Sequence, residues 1–348
     1  MSAAGVLDRV ERLCREPRTP KALREAALEV VRRAVPFDAH VWLLTDPVTC
    51  VGTSPLADVP MLAWPRLPEL GRQRYVTTLN RWTELRRAGT AAASLHAATE
   101  GDLARSPLWR EVLEGMGVTD VASSVFADRF GCWAWLDLWR CGGTFSTDEV
   151  ALLRALTGPL TEALRAAQAR TFVEDAEPVD LAGPAVVLLD AGLRVVSRTA
   201  TADVALRELN PPGEEPLTDP IPAAALNVAA ALLAAEAGVP VGPAWSRVHL
   251  GAGRWVTLRA ERMTGAVDLA VTIEVSTVAE RREVFALAHG LSPREREVLG
   301  HLATGADSRT AARALALSEH TVNDHVRAVL AKCDAPSRAV LLSRIAGG

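Results

Sequence analysis

Apolar residues recur at helical spacing near the start of the chain, over Val6–Arg15 and Lys21–Ala34, as amphipathic helices require. The rhythm then gives way to a continuous apolar run, Ala39-His40-Val41-Trp42-Leu43-Leu44, closed by Asp46-Pro47; this reads as a buried strand. Pro55–Pro68 is proline-rich and reads as loop, and Pro107–Met116 as a short helix. Val118–Phe126 and Cys132–Arg140 predict paired strands around the turn Asp128-Arg129-Phe130-Gly131. Ser146 and Glu149 have capping-box spacing ahead of a long amphipathic helix that reaches Arg170. Strands enclosed by terminal helices predict an α+β domain over residues 1–173.

Glu174–Gly183, acidic and containing Pro178, reads as a linker. Beyond it, AVVLLDAGLRVVSR predicts two strands joined at Asp190-Ala191-Gly192. A helix over Ala202–Leu209, a proline-rich loop over Pro211–Pro222 and a helix over Ile221–Ala237 follow. Strands over Trp245–Leu250, Arg254–Ala260 and Val267–Val275 complete a second α+β domain, residues 178–279, and a linker helix spans residues 280–290. No internal repeat is evident in the sequence. From Leu291 the pattern is wholly helical. Pro293 occupies a first helical position between Ser292 and Glu295, and Val298, Leu299 and Leu302 form the apolar face that Gly305 ends. A short helix through Ala311, Ala312 and Leu315 precedes a tight turn. Ser318 is the expected N-cap of a third helix, in which Val322 is the apolar plug, and Val340, Leu341 and Ile345 mark a fourth. Two short helices joined by such a turn form a helix-turn-helix, whose second helix enters the DNA major groove.

The blocks LSPREREVL, LSEHTVNDHV and KCDAPSRAVLL, in that order, make residues 291–348 resemble the LuxR-type (GerE-like) DNA-binding domain. FSTDEVALLRALTGPLTEAL, with the order of elements around it, makes the first domain resemble a GAF domain. The hairpin-helix-helix-hairpin order makes the second resemble a PAS domain, although the Asn typical after the second PAS strand is absent. The expected fold is multidomain: an α+β GAF-like unit, an α+β PAS-like unit and an all-α four-helix C-terminal unit. The resemblance implies a sequence-specific transcriptional regulator, dimeric through its fourth helix. Thr321 and Val322 would touch thymine methyl groups and Asn323 would bind adenine through two bonds. Arg309, Arg327 and Lys332 would contact phosphates, Ser308 and Ser318 would offer hydroxyls and helix-end amides to the backbone, and His320 and His325 would join when protonated. Two departures stand out. Ala316 occupies a turn position where the family favours Gly, and Asn323-Asp324 brings a carboxylate where the family commonly has Lys.

Charge sharpens this picture. Residues 291–348 hold eight Arg/Lys against six Asp/Glu, so the acidic excess of the chain, −4 overall, lies in the first two domains. Few phosphate partners per protomer argue for a dimer, since phosphate neutralisation supplies most non-specific affinity. The same near-neutrality supports a rival reading, a regulatory protein-interaction module with weak or vestigial DNA binding. The five cysteines are scattered, with no C-x-x-C pair, which indicates neither a zinc site nor a disulfide framework. The N-terminus has no apolar signal core, and the most apolar stretch, Val228–Ala235, is far too short for a membrane span. A cytoplasmic protein with no membrane contact is expected.

Candidate chemistry is sparse. Asp190 ends a strand, yet no acidic pair or suitably placed lysine accompanies it as in a phosphoacceptor domain, and neither Lys21 nor Lys332 sits in a P-loop. The single tyrosine, Tyr75, gives no match to the ligand domain of acylated-lactone sensors. Ser123, His96 and Asp120 lack the flanking pattern of a nucleophile elbow. No enzyme activity, cofactor or metal is expected. Trp133, Trp135 and Trp139 alternate along one predicted strand with Asp137 among them. They form a candidate pocket for a small apolar or aromatic effector, with plain sheet packing as the alternative.

Overall fold

The computed structural model describes residues 2–173, 183–209, 219–251, 253–265 and 267–347. All but the last residue of the expected linker at 174–183, and most of the expected proline-rich loop at 211–222, lie outside them. The chain opens with α1 (Ala3–Arg15) and α2 (Pro20–Arg32), capped by the Ser2 and Thr19 hydroxyls. Next come β1 (Ala39–Thr45), β2 (Gly52–Asp58), α3 (Leu67–Val76), α4 (Trp82–Arg87), β3 (Ala92–Ser94) and α5 (Leu95–Ala98). Short helical turns over 103–116 lead to β4 (Asp120–Asp128), β5 (Gly131–Arg140) and α6 (Thr147–Arg170). The Ser146–Glu149 capping box is formed. The stretch expected to be loop from Pro55 to Pro68 instead contains most of β2 and the start of α3. Pro55 sits in a strand that pairs on one side only, where a missing N–H is tolerated.

The second unit contains β6 (Ala185–Leu189), β7 (Val195–Arg198), α7 (Ala200–Leu209), α8 (Ala223–Glu236), β8 (Trp245–Gly251), β9 (Arg254–Arg262) and β10 (Leu269–Val275). Both sheets are antiparallel, ordered β2-β1-β5-β4-β3 and β7-β6-β10-β9-β8. Counted within each unit, the strand order is the same. The chain therefore repeats one topology twice, which the sequence conceals. An all-helical end follows: α9 (Val278–Ala288), α10 (Pro293–Ala303), α11 (Ser308–Leu315), α12 (Glu319–Lys332) and α13 (Arg338–Ala346).

Strand β5 decides which face of the first sheet does what. Ala134, Leu136 and Leu138 pack with α1, α2 and α6, whereas Trp135 and Trp139 lie in clusters on the opposite face. Strict alternation would put Trp133 beside Trp135. Pairing with β4 instead jumps from Phe126–Ala134 to Ala127–Cys132, which leaves Trp133 as an extra residue in a β-bulge. The bulge inverts the alternation. Trp133 joins the α6 side, its indole N–H bound to Asp128 at 3.0 Å, and Cys132 joins the side of Trp135.

Two buried charges clasp the units together. Asp46, at the end of β1, accepts from the Arg247 backbone N–H at 3.0 Å, from its Nε at 2.7 Å and from its second guanidinium nitrogen at 3.1 Å. Both side chains are 0% exposed. The remaining guanidinium nitrogen of Arg247 reaches Glu283 and the Glu280 carbonyl of α9. Nearby, a Cβ on Gly242 would stand 2.1 Å from the Thr49 carbonyl oxygen, so backbone meets backbone across the seam.

Helix α9 was expected as a linker, and it is buried rather than strung between domains. Leu287 and Ala288 enter the core under α6. Val284 and Phe285 enter another, with Phe172, Trp255, Leu299, Val329, Leu341 and Ile345. Arg281 fastens the end of α13, donating to the Ile345 and Arg344 carbonyls and to that of Gly253. Asp46→Ala should destabilise the protein by about 3–5 kcal/mol, because it strands a buried guanidinium. Urea unfolding checks this, and a loss below about 1 kcal/mol, the scale of an exposed pair, would show that the clasp is not structural.

Candidate nucleic-acid interface and internal cavity

The C-terminal helices are built on local capping. The Ser292 hydroxyl and Glu295 carboxylate form the expected capping box at α10, and Ser318 caps α12, accepting from the Thr321 N–H at 3.0 Å. Between α11 and α12 the chain turns through Ala316 at φ 52°, ψ 45°. This is the left-handed conformation in which glycine is favoured. Val298 and Leu302 of α10, Ala311 and Ala312 of α11, and Val322 and Val326 of α12 form the core under this turn.

On α12, Val322, Val326 and Val329 are buried, and the helical period places His320, Asp324 and Arg327 on the outward stripe. Asp324 sits at the centre of that stripe, 2.6 Å from Arg327 and 3.5 Å from the His320 ring. The structure corrects the expected base contact of Val322. Its side chain is 0% exposed and cannot reach a thymine methyl while the core is intact. Thr321 is half-exposed and shares a hydrogen bond with the Ser318 hydroxyl at 2.8 Å. His325 is half-exposed and Arg309 exposed on α11.

Asn323 has its carbonyl end turned inward. Ser308 of α11 donates to its Oδ1 at 2.7 Å and in turn accepts from Arg338 of α13 at 2.7 Å. The three side chains tie α11, α12 and α13 together, so a two-bond contact to adenine would need that tie to open. Lys332, expected at a phosphate, is held by Glu295 at 2.7 Å. Burial works against the charge on Glu295, yet the bonds from Lys332 and Ser292 hold its carboxyl below the usual range. The apolar triple at 322, 326 and 329 could have identified the outward stripe from the sequence, because its complement on a helix is 320, 324 and 327.

A second feature lies between the two sheet units: a cavity of about 760 Å³. Small-molecule sites span roughly 300–1,000 Å³. Val41 and Leu43 of β1, Leu56 of β2 and Leu67 and Leu70 of α3 give it apolar walls, and Leu226, Asn227, His249 and Leu250 close it from the second unit. Of the four pocket residues expected from the sequence, Asp137 and Trp139 line it and Trp133 and Trp135 do not. Trp133 is diverted by the bulge. Trp135 stacks on Trp82, centroids 5.8 Å apart, and Trp82 itself lines the cavity.

At the polar end of the cavity the carboxylate is partnered, while Arg74 Nε and the Trp139 indole N–H have no hydrogen-bond partner among the described residues. Asp137 pairs with Arg74 at 2.7 Å and accepts from Ser123 at 2.6 Å and from the Trp82 indole at 3.1 Å. Burial raises the carboxyl pKa and lowers that of the guanidinium, each opposed by the partner's charge. Arg74, Trp82 and Leu70 come from helices that alternation in the sequence did not reveal, so the pocket could be only half seen there.

Residues 289–345 match the family model described as bacterial regulatory proteins, luxR family. The C-terminal region is thus a LuxR/GerE-type helix-turn-helix domain, and such domains are DNA-binding modules rather than catalysts. Among solved structures, Escherichia coli SdiA is similar at 13% identity and a TM-score of 0.32, covering 99% of this chain and 97% of that one. SdiA in complex with octanoyl-rac-glycerol is similar at 12% identity and a TM-score of 0.30, covering 99% and 95%. At such scores the likeness assigns neither fold nor ligand to this chain. No curated protein matches it. Among the described residues, no helix is long and apolar enough to cross a membrane and no group of three or more potential metal ligands occurs.

Ala316→Gly should stabilise the protein by on the order of 1 kcal/mol, by relieving a left-handed alanine. Thermal or urea unfolding measures it, and a destabilised variant would show that Ala316 contributes packing that outweighs its backbone strain.

Proposed function

We propose that this chain is a sequence-specific, DNA-binding transcriptional regulator, homodimeric on double-stranded DNA and controlled through its two N-terminal units. The observation that carries the reading is a LuxR/GerE-type helix-turn-helix whose α12 turns a polar stripe outward from a complete apolar core. On this reading His320, Thr321 and Asp324 lie nearest the base edges. Arg309, Arg327 and His325 face phosphates, and Ser308, Ser318, Asn323 and Lys332 join only where their internal bonds are exchanged. An outward Asp324 fits the donor amino group of cytosine better than any other base edge. The small positive excess of the domain supports a dimer, since one protomer offers few phosphate partners.

We read residues 1–173 as GAF-like, 178–279 as PAS-like, 280–290 as a connecting helix and 291–348 as the DNA-binding domain, in a cytoplasmic protein. Two five-stranded antiparallel sheets of one order, each with helices between its second and third strands, support a pair of related sensory units. The cavity between them is suited to a small, largely apolar or aromatic effector, because Arg74 already neutralises Asp137 there.

The interaction-module reading has its own support in the paired state of Arg327, Lys332 and Arg338. Salt separates the two. A DNA binder loses roughly 10³-fold in affinity between 50 and 200 mM salt if it makes about six phosphate contacts, and gel shift or fluorescence anisotropy on genomic fragments measures this. Arg327→Ala should weaken binding to all sequences, whereas Asp324→Ala should change preference at one base pair by about 1–3 kcal/mol. Equal sequence-blind losses would move the groove contact off α12. For the cavity, Gly71 lines the wall and a Cβ there would meet nothing within 4 Å. Gly71→Trp should therefore fold and abolish any effector-dependent shift in melting temperature, and a retained shift would place the effector elsewhere.

A further inference from the structure

Two cysteines meet at the seam between the sheet units. Cys50 lies in the turn joining β1 to β2, its N–H bound to the Asp46 carbonyl at 2.9 Å and its backbone at φ +62°. Cys132 is fastened to the same turn: its N–H donates to the Pro47 carbonyl at 3.1 Å, and its own carbonyl accepts from Thr45 at 2.7 Å. The bulge at Trp133 puts the Cys132 side chain on this face, where both thiols share a cluster with Trp82, Leu85 and Trp135. The Cys132 thiol donates to the Phe126 and Ala134 carbonyls within that cluster, and the guanidinium of Arg86, an exposed residue on α4, lies against the Cys50 sulfur.

We infer that Cys50 and Cys132 form a hydroperoxide-responsive thiol pair, with Cys50 as the attacking sulfur and Cys132 as the resolving one. The neighbouring Cys132 thiol lowers the Cys50 pKa against the effect of burial, with the Arg86 guanidinium adding to it, whereas burial holds Cys132 well above the usual thiol range. A cation beside one sulfur and a second thiol within reach are the features that mark redox-sensing pairs. In the first step the Cys50 thiolate attacks an oxygen of the hydroperoxide. An S–O bond forms, the O–O bond breaks, and the departing oxide takes up the proton Cys50 released, leaving a sulfenic acid and an alcohol or water. In the second step the Cys132 sulfur attacks the sulfenic sulfur. The S–S bond forms, the S–O bond breaks, and hydroxide leaves with the Cys132 proton as water. Two electrons pass from the thiols to the hydroperoxide.

The place of this pair gives the linkage somewhere to act. The turn that carries Cys50 also carries Asp46, which holds Arg247 and through it Glu283 of α9, and Thr49, which abuts Gly242. Pulling Cys50 onto Cys132 displaces the turn that seats the second unit and α9 on the first.

The test uses the reduced full-length chain, hydrogen peroxide as oxidant, alkylation of the remaining thiols and peptide mass mapping. A Cys50–Cys132 cross-linked peptide should appear, with Cys14, Cys141 and Cys333 still alkylated. Arg86→Gln should slow its formation by about tenfold, and Cys132→Ser should leave Cys50 as a dimedone-reactive sulfenic acid. Amide hydrogen exchange in residues 278–288 should rise several-fold in the cross-linked form. Cys50 and Cys132 both still alkylated at peroxide levels that oxidise the exposed Cys141 would overturn the proposal, and unchanged exchange in α9 would overturn its action on the seam. The wild-type map requires no variant to fold, and both readouts are taken without DNA, so they are independent of duplex binding.

Discussion

Asp46 and Arg247 carry opposite charges into a place that water does not reach. A buried carboxylate and guanidinium are tolerated only when every polar atom finds a partner. Here the carboxylate takes three bonds from Arg247 and further ones from the Val48 and Thr49 amides, while the guanidinium completes its set on α9. Geometry this demanding sets the relative placement of three segments at once: the end of β1, strand β8 and the helix leading to the DNA-binding domain. The cavity between the units exists in its observed shape because this clasp holds its walls at a set distance.

The cavity and the helix-turn-helix are joined by packing. His249, which closes the cavity, contacts Trp255 at 5.5 Å between ring centroids; Trp255 stacks on Phe172 at 4.8 Å; Phe172 meets Phe285 at 5.3 Å, and Phe285 meets His289 at 4.1 Å. Close-packed aromatic rings do not yield independently. An occupant that shifts His249 therefore presses on the same core that seats Leu299, Val329 and Leu341 of the DNA-binding domain.

Much of this architecture was legible in the sequence where the signal is local. The Ser292–Glu295 and Ser146–Glu149 boxes, the Ser318 cap and the left-handed turn at Ala316 all rest on residues a few positions apart. Buried Val322 shows both sides of the matter: its role as a core plug follows from periodicity, and that same burial rules out the base contact assigned to it. What escaped depends on distance or on one inserted residue. Strand β2 was hidden by Pro55 and α3 by Pro68, and the bulge at Trp133 overturned a face assignment that alternation alone would make. The inward ties of Asn323 and Lys332 involve partners 15 and 37 residues away, which no pattern along the chain reveals.

Helix α9 contributes to two cores and to the ionic clasp, and Arg281 grips the far end of α13. A helix-turn-helix domain at the end of a chain invites treatment as a detachable part, cut at the boundary before Leu291. In this chain such a cut would run through shared apolar surface, leaving Phe285 on one fragment without Leu341 and Ile345 on the other. A cut at that point would leave parts with unmatched apolar faces, so neither side of the boundary carries a complete core there.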